Sequence, residues 1–321
     1  LTSNSFGVDF RILEDDMQSW VRLRSWLVLL NDSAIEYSIT LTPNRSALVD
    51  VSAQTLATTE LIEAIYREHR DALLYLTNTT LLAITHLPQS IAFDLTLSRH
   101  EWQMLMLETR SLDLIGFSSL MRTSIFSVSV DRIENEATLL HNDIVTSGII
   151  GGILVEPFVI DDLQDADTTS MRVCGVTFAT LGLWTHHSVL CQRSRFSFEM
   201  QGDVGEYLVH SYSSSISRLG EQWSMRMGNI GNSTDVSGRV DSVYESIDIL
   251  VNDIALAAGN GVQALTLDSL PSLLNTFGAT GLTQLRDSID AVVLGSATYT
   301  FRIFAFRAVF MAIDAFDFLM F

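Results

Sequence analysis

The residues best equipped for chemistry in this sequence are Cys174, Cys191, His186 and His187, which fall close together. A turn at Leu181-Gly182-Leu183-Trp184 predicts an antiparallel hairpin that sets the two cysteines opposite each other. Three readings follow: buried free thiols, a Cys174–Cys191 disulfide, or a metal shared with the histidines. Adjacent histidines on a strand point to opposite faces, and the spacing matches no common zinc signature. Free thiols are therefore favoured, and no metal site is expected.

Other chemical signals are weaker. The stretch Asp161-Asp162-Leu163-Gln164-Asp165-Ala166-Asp167 is rich in oxygen ligands but lacks the spacing and distant glutamate of an EF-hand, so it reads as a solvated loop. Glu134-Asn135-Glu136 resembles the paired glutamates of some ADP-ribosyltransferases, without their companion arginine and Ser-Thr-Ser strand. An acidic first helical turn explains it better. His69 shares a helix face with Ile62, Ile65 and Leu76 and reads as a structural histidine. There is no Gly-x-Ser-x-Gly elbow and no His-Glu-x-x-His helix. Gly148, Gly151 and Gly152 lack the order of a dinucleotide-binding turn. No catalytic residue and no cofactor is assigned from the sequence.

The elements that must carry these residues alternate in the first half. Phe6, Val8 and Phe10 begin a strand, and Glu14-Asp15-Asp16 open a helix carrying Met17, Trp20, Val21 and Leu27. Ile35 to Leu41 and Leu48 to Val51 predict a hairpin about Pro43-Asn44-Arg45. A helix runs from Thr58 to about Leu76, and a strand over Ile91 to Leu97 precedes a helix capped by Ser98. Ile125 to Asp131 reads as a strand, followed by a helix from about Glu134. Strands are also expected over 153–160, 171–180 and 188–199. Val236, Val240, Val243, Ile247, Leu250 and Ile254 form the strongest apolar helical seam. The fold class expected is α+β: mixed strand–helix N-terminal and middle regions with a largely helical C-terminal third. A division at 1–205 and 206–321 is expected, within what reads as one continuous domain.

Composition excludes more than it identifies. The chain has 321 residues, 38 Asp+Glu, 19 basic residues that are all arginine, and a net charge of -19. Without lysine there is no Walker A loop, no kinase strand lysine and no Schiff-base lysine. The excess of acids argues against nucleic-acid binding. Leu1 to Ser5 has neither the basic region nor the apolar core of a leader, so none is expected there. Hydrophobic residues make up 47% and charged residues 18%, with a mean hydropathy of +0.27. Apolar segments that exceed one core's needs, with no catalytic constellation, suggest a non-enzymatic structural subunit of a larger assembly. A viral capsid or capsid-associated protein is the most concrete form, placed in a virion or an intracellular assembly, with copies of itself or other structural subunits as partners. The alternatives are a lysine-free enzyme or toxin subunit whose site is assembled from sequence-distant residues, and an acidic adaptor or chaperone-like module.

The segment 301–321 holds seven phenylalanines and four charges, with Arg302, Arg307, Asp314 and Asp317 inside one helical arc. Charges gathered on one side disfavour a transmembrane span. Phe310, Phe318 and Phe321 are the residues expected to contact a neighbouring chain.

Overall fold

The computed structural model describes residues 8–14, 16–30, 37–44, 59–78, 87–97, 128–165, 169–192, 204–228, 244, 246–268 and 270–292. Phe310, Phe318 and Phe321 lie outside them. The chain divides into two compact units, residues 1–188 with 236–239 and residues 189–235 with 240–321.

In the first unit, strand and helix alternate: β1 (Val8–Leu13), α1 (Met17–Leu30), β2 (Tyr37–Thr42), α2 (Thr59–Thr77), β3 (Ser90–Asp94), α3 (Val130–Ser147) and β4 (Ile150–Val155). Local chemistry sets several of the ends. The Asp16 carboxylate accepts from the backbone N–H of Gln18 and Ser19 at the start of α1. Gly148, at φ 70°, ends α3 with its N–H on the Val145 carbonyl. Helix α2 buries Ile62, Ile65, Tyr66, His69, Ala72, Leu73 and Leu76 along one stripe.

Three short helices follow, α4 (Phe158–Asp165), α5 (Thr169–Val173) and α6 (Phe178–Leu181), before β5 (His186–Leu190). Helix α6 is closed by a capping box in which Thr177 and Thr180 bond each other's backbone N–H. The remaining elements are α7 (Val204–Leu219), β6 (Trp223–Met227), α8 (Ile247–Gly259), β7 (Leu265–Leu267) and α9 (Leu270–Val292). Helix α9 is broken at Gly278, whose φ is 68°.

The strands occur in the order β1-β2-β3-β4-β5-β6-β7. Pairings β1–β2, β2–β3, β3–β4 and β6–β7 are all parallel. Sequential order with helical crossovers is the connectivity of a TIM-type βα fold. The α+β expectation is therefore corrected: a single parallel sheet with interleaved helices replaces the mixed region and all-helical end, and β6 and β7 lie inside the supposedly helical third.

The expected return strand, Leu48 to Val51, lies outside the described residues, and β2 itself is flanked on both sides by parallel strands in place of a hairpin partner. The stretch 171–180 forms short helices instead of a strand, and β4 ends at Val155, two residues before Pro157, with α4 beyond. Most of the acidic stretch lies in that helix. Asp162 is buried there and accepts from the Met171 N–H at 2.7 Å.

Register divides the first unit's sheet into two faces. Ile12, Ile39, Leu41, Ile91 and Phe93 are buried on one. The other carries Asp9, Arg11, Ser38, Thr40, Thr42, Ala92 and Asp94. Polar residues survive there because they bond across strands: Asp9 accepts from Ser38 Oγ at 2.9 Å and from Thr40 Oγ1 at 2.8 Å.

Gly152 is required where β4 meets β5, since a Cβ there would sit 2.8 Å from the His186 carbonyl oxygen. A Cβ at Gly151 would meet only side chains, Ile144 Cγ2 at 2.9 Å being nearest. Gly152→Ala is expected to cost about 1–3 kcal/mol in urea unfolding, and more than Gly151→Ala. Equal losses would show that the strand backbones can part.

His187 on β5 is buried, and its Nε2 lies 2.9 Å from the Leu181 carbonyl. Burial holds its pKa below the ordinary 6.5, outweighing that carbonyl, with His186 adding to the depression. As pH falls the unfolded chain takes up this proton first. The stability contributed by neutral His187 is thus full above about pH 6.5 and lost as pH drops through the lower folded value. Melting between about pH 7.5 and pH 5 should fall less steeply in His187→Gln than in the wild type. His186→Gln removes only the smallest contribution to that depression and should flatten the slope less than His187→Gln does.

Candidate functional site

At the carboxyl ends of β1 to β4 the polar face gathers groups from distant parts of the sequence. Arg11 donates from Nε to Thr42 Oγ1 at 3.1 Å and from a terminal nitrogen to Asp94 Oδ2 in a close ion pair. Thr42 Oγ1 donates to that same oxygen at 3.2 Å. The other oxygen, Oδ1, accepts from the Thr96 backbone N–H at 3.0 Å and from Thr96 Oγ1 at 2.6 Å. Both side chains of the ion pair are buried.

The next strand supplies a second carboxyl. Leu154 pairs with Asp94, and Glu156, two residues further along the chain, lies just past the end of β4. Its Oε1 accepts from the Leu97 N–H at 2.8 Å. The segment joining Asp94 to Leu97 is thus held by one carboxyl at each end. Asp94 and Glu156 are 1% and 0% exposed, so a reactant reaches them only when this end of the unit opens.

Chemically, this is a fixed cation, a charge-compensated carboxylate, a second carboxyl and two threonine hydroxyls. Such a set can orient a polar reactant, move a proton and stabilise developing charge. None of Arg11, Thr42, Asp94, Thr96 or Glu156 stands out in the sequence. The available signals are an acid that ends an apolar run, Glu156 after Ile153-Leu154-Val155, and the spacing Asp94-Leu95-Thr96 after a strand.

A second carboxyl pairing lies behind the sheet. Glu14 Oε1 and His69 Nδ1 are 2.5 Å apart, with side chains 4% and 0% exposed. The His69 ring contacts Phe93 at 5.1 Å. His69 is therefore buried between helix and sheet, tying the end of β1 to α2.

The residues singled out by sequence are placed differently. Cys174 and Cys191 are both buried, and they are not joined in a disulfide. Cys174 follows α5 and Cys191 follows β5, and no hairpin sets them opposite each other. Among the described residues no cluster of histidine, cysteine and acidic side chains could hold a metal. Glu134 lies in the first turns of α3, where its Oε1 accepts from Thr177 Oγ1 at 2.9 Å. No described helix is long and apolar enough to cross a membrane.

No protein-family model matches the sequence, and no curated protein matches it. Among solved structures, the chain is similar to the PgaB (BpsB) glycoside hydrolase domain from Bordetella bronchiseptica. That match has 9% identity and a TM-score of 0.46, over 84% of this chain and 78% of that one. A chitinase from Chromobacterium violaceum matches at 11% identity and a TM-score of 0.42, over 88% and 92% of the two chains. The catalytic domain of beta-amylase from Paenibacillus polymyxa matches at 7% identity and 0.43, over 91% and 100%. Likeness at this level assigns no residue and no substrate to the chain. The expectation of a non-enzymatic capsid or virion subunit is nevertheless corrected. The apolar segments that suggested it belong to a parallel sheet and its crossover helices.

Proposed function

We propose that the chain is an enzyme whose site is assembled from sequence-distant residues, and that it performs acid–base hydrolysis at the carboxyl ends of β1 to β4. The observation that carries this reading is the convergence of Asp94 and Glu156, from adjacent parallel strands, with Arg11 bound to the first of them. In this reading Glu156 delivers a proton to the departing oxygen. Asp94, paired with Arg11, supports the positive charge that develops on the carbon and receives a proton from the attacking water. The scissile C–O bond breaks as the water oxygen bonds to carbon, so two carboxyl groups suffice for the proton balance. The acetal bond of a glycoside is the bond type such a pair cleaves. Thr42 and Thr96 act as positioning residues that fix the Asp94 carboxylate.

The test is hydrolysis of a panel of aryl glycosides and neutral oligosaccharides by the full chain, followed by reducing-end release. Asp94→Asn and Glu156→Gln should each lower kcat by about 10²–10⁴-fold. Thr96→Val should act mainly through Asp94 and lose less. In Glu156→Gln, substrates with a good leaving group should be spared relative to those with a poor one, because they need no proton. Failure to cleave any member of the panel, or unchanged turnover in both carboxyl variants, would overturn the reading.

A further inference from the structure

The second unit carries a polar group that none of this chemistry uses. Gln192 directly follows Cys191, whose N–H donates to the Arg226 carbonyl at 2.8 Å. Gln192 therefore stands at the carboxyl end of β5, beside the end of β6. The Asp268 N–H donates to the Met227 carbonyl at 2.8 Å, which places Asp268 at the same end of β7. Gln192 is 0% exposed, and among the described residues neither its amide oxygen nor its amide nitrogen has a hydrogen-bond partner. A buried amide left in that condition is costly, because both a donor and an acceptor have been stripped of water without replacement.

Its neighbours at this end form a bidentate ion pair. Arg226 donates from Nε and from a terminal nitrogen to the two oxygens of Asp268, each at 2.7 Å, and both residues are buried. Gly228 makes this arrangement possible. A Cβ on it would lie 2.7 Å from both the Asp268 Cβ and the Asp268 carbonyl oxygen. Three consecutive strands thus end in Gln192, Arg226 with Gly228, and Asp268.

We infer that Gln192 is a recognition residue for a neutral polyhydroxylated ligand, a saccharide bound through two adjacent hydroxyls. The amide presents one acceptor and one donor side by side. A carboxylate offers only acceptors and an ammonium or guanidinium only donors, so each would leave half of the amide unmatched. A vicinal diol supplies one hydroxyl that donates and one that accepts. The inference uses the second unit's groups alone and does not depend on the roles given to Asp94 and Glu156.

Binding is measured without turnover, by saturation-transfer NMR and calorimetry on the full chain, with maltotriose and N,N′,N″-triacetylchitotriose as neutral probes and glucuronate as the charged control. The wild type should bind at least one neutral probe and not glucuronate. Gln192→Leu, which removes both polar atoms at similar volume, should weaken that binding at least about tenfold while its Tm stays equal or rises, since an unmatched amide is lost. Gln192→Met provides the same measurement if the leucine variant does not fold. The inference is overturned if the wild type binds neither neutral probe or if the variants bind as well as the wild type. A Tm several degrees lower in both variants also overturns it, because the amide is then satisfied internally and serves the fold. Loss of hydrolysis in Asp94→Asn with binding intact would leave this inference standing and bear only on the catalytic reading.

Discussion

The Arg11–Asp94 pair governs the architecture around it. It joins side chains from β1 and β3 across β2, with Thr42 as the intervening strand's contribution. Parallel strands covered on both faces ordinarily bury apolar side chains on both. Here one face is polar, and each group must find its partner on the next strand. Asp94 engages Arg11, Thr42 and Thr96. Asp9 engages Ser38 and Thr40. A slip of one residue in any of these strands would turn this set toward the helices and bring Ile39, Leu41 or Phe93 into its place.

Such a pair contributes little net stability, because desolvating two charges offsets most of their attraction. Its effect is on geometry. With Arg11 and both threonines bonded to it, the Asp94 carboxylate has one orientation, and the backbone from Asp94 to Leu97 follows. The same segment's far end is fixed by Glu156. The interactions that specify register therefore also fix the geometry of the Asp94 carboxylate.

That dual use explains what is legible in the sequence. The alternation in β1 and β3, the acidic opening of α1 and the apolar stripe of α2 all announce themselves through period and capping. The partners of β2 do not. Tyr-Ser-Ile-Thr-Leu-Thr alternates as a half-solvated antiparallel strand would, yet Thr40 and Thr42 are 1% and 2% exposed. Polar residues that pair internally carry the same pattern as polar residues that face water, so a parallel sheet reads as a hairpin. The acidic stretch misleads for a related reason. Asp162 is buried as the acceptor for the Met171 N–H, and charge alone does not distinguish that role from a solvated loop. Arg11, Asp94 and Glu156 belong to no motif, since parallel strand order brings them together across long intervals of chain.

Parallel order also accounts for the apolar composition that first suggested an assembly subunit. A parallel strand must be followed by a crossover, and each crossover helix must bury a face against the sheet. The sheet's apolar face and the helical stripes are then both paid in aliphatic residues. Ile39, Leu41 and Phe93 from the strands, and Ile62, Leu73, Leu76, Ile133 and Leu140 from α2 and α3, are all 0–1% exposed. Helices α2 and α3 keep their charges at the rim, where Arg132 meets Glu63 at 2.5 Å and Arg70 meets Asp143 at 2.8 Å. Exposed pairs of this kind add only about 0–1 kcal/mol each, so the alignment of these two helices rests on their apolar stripes. Among the described residues, high hydrophobicity is thus the requirement of layered βα construction within a single chain, and no neighbouring subunit is needed to explain it.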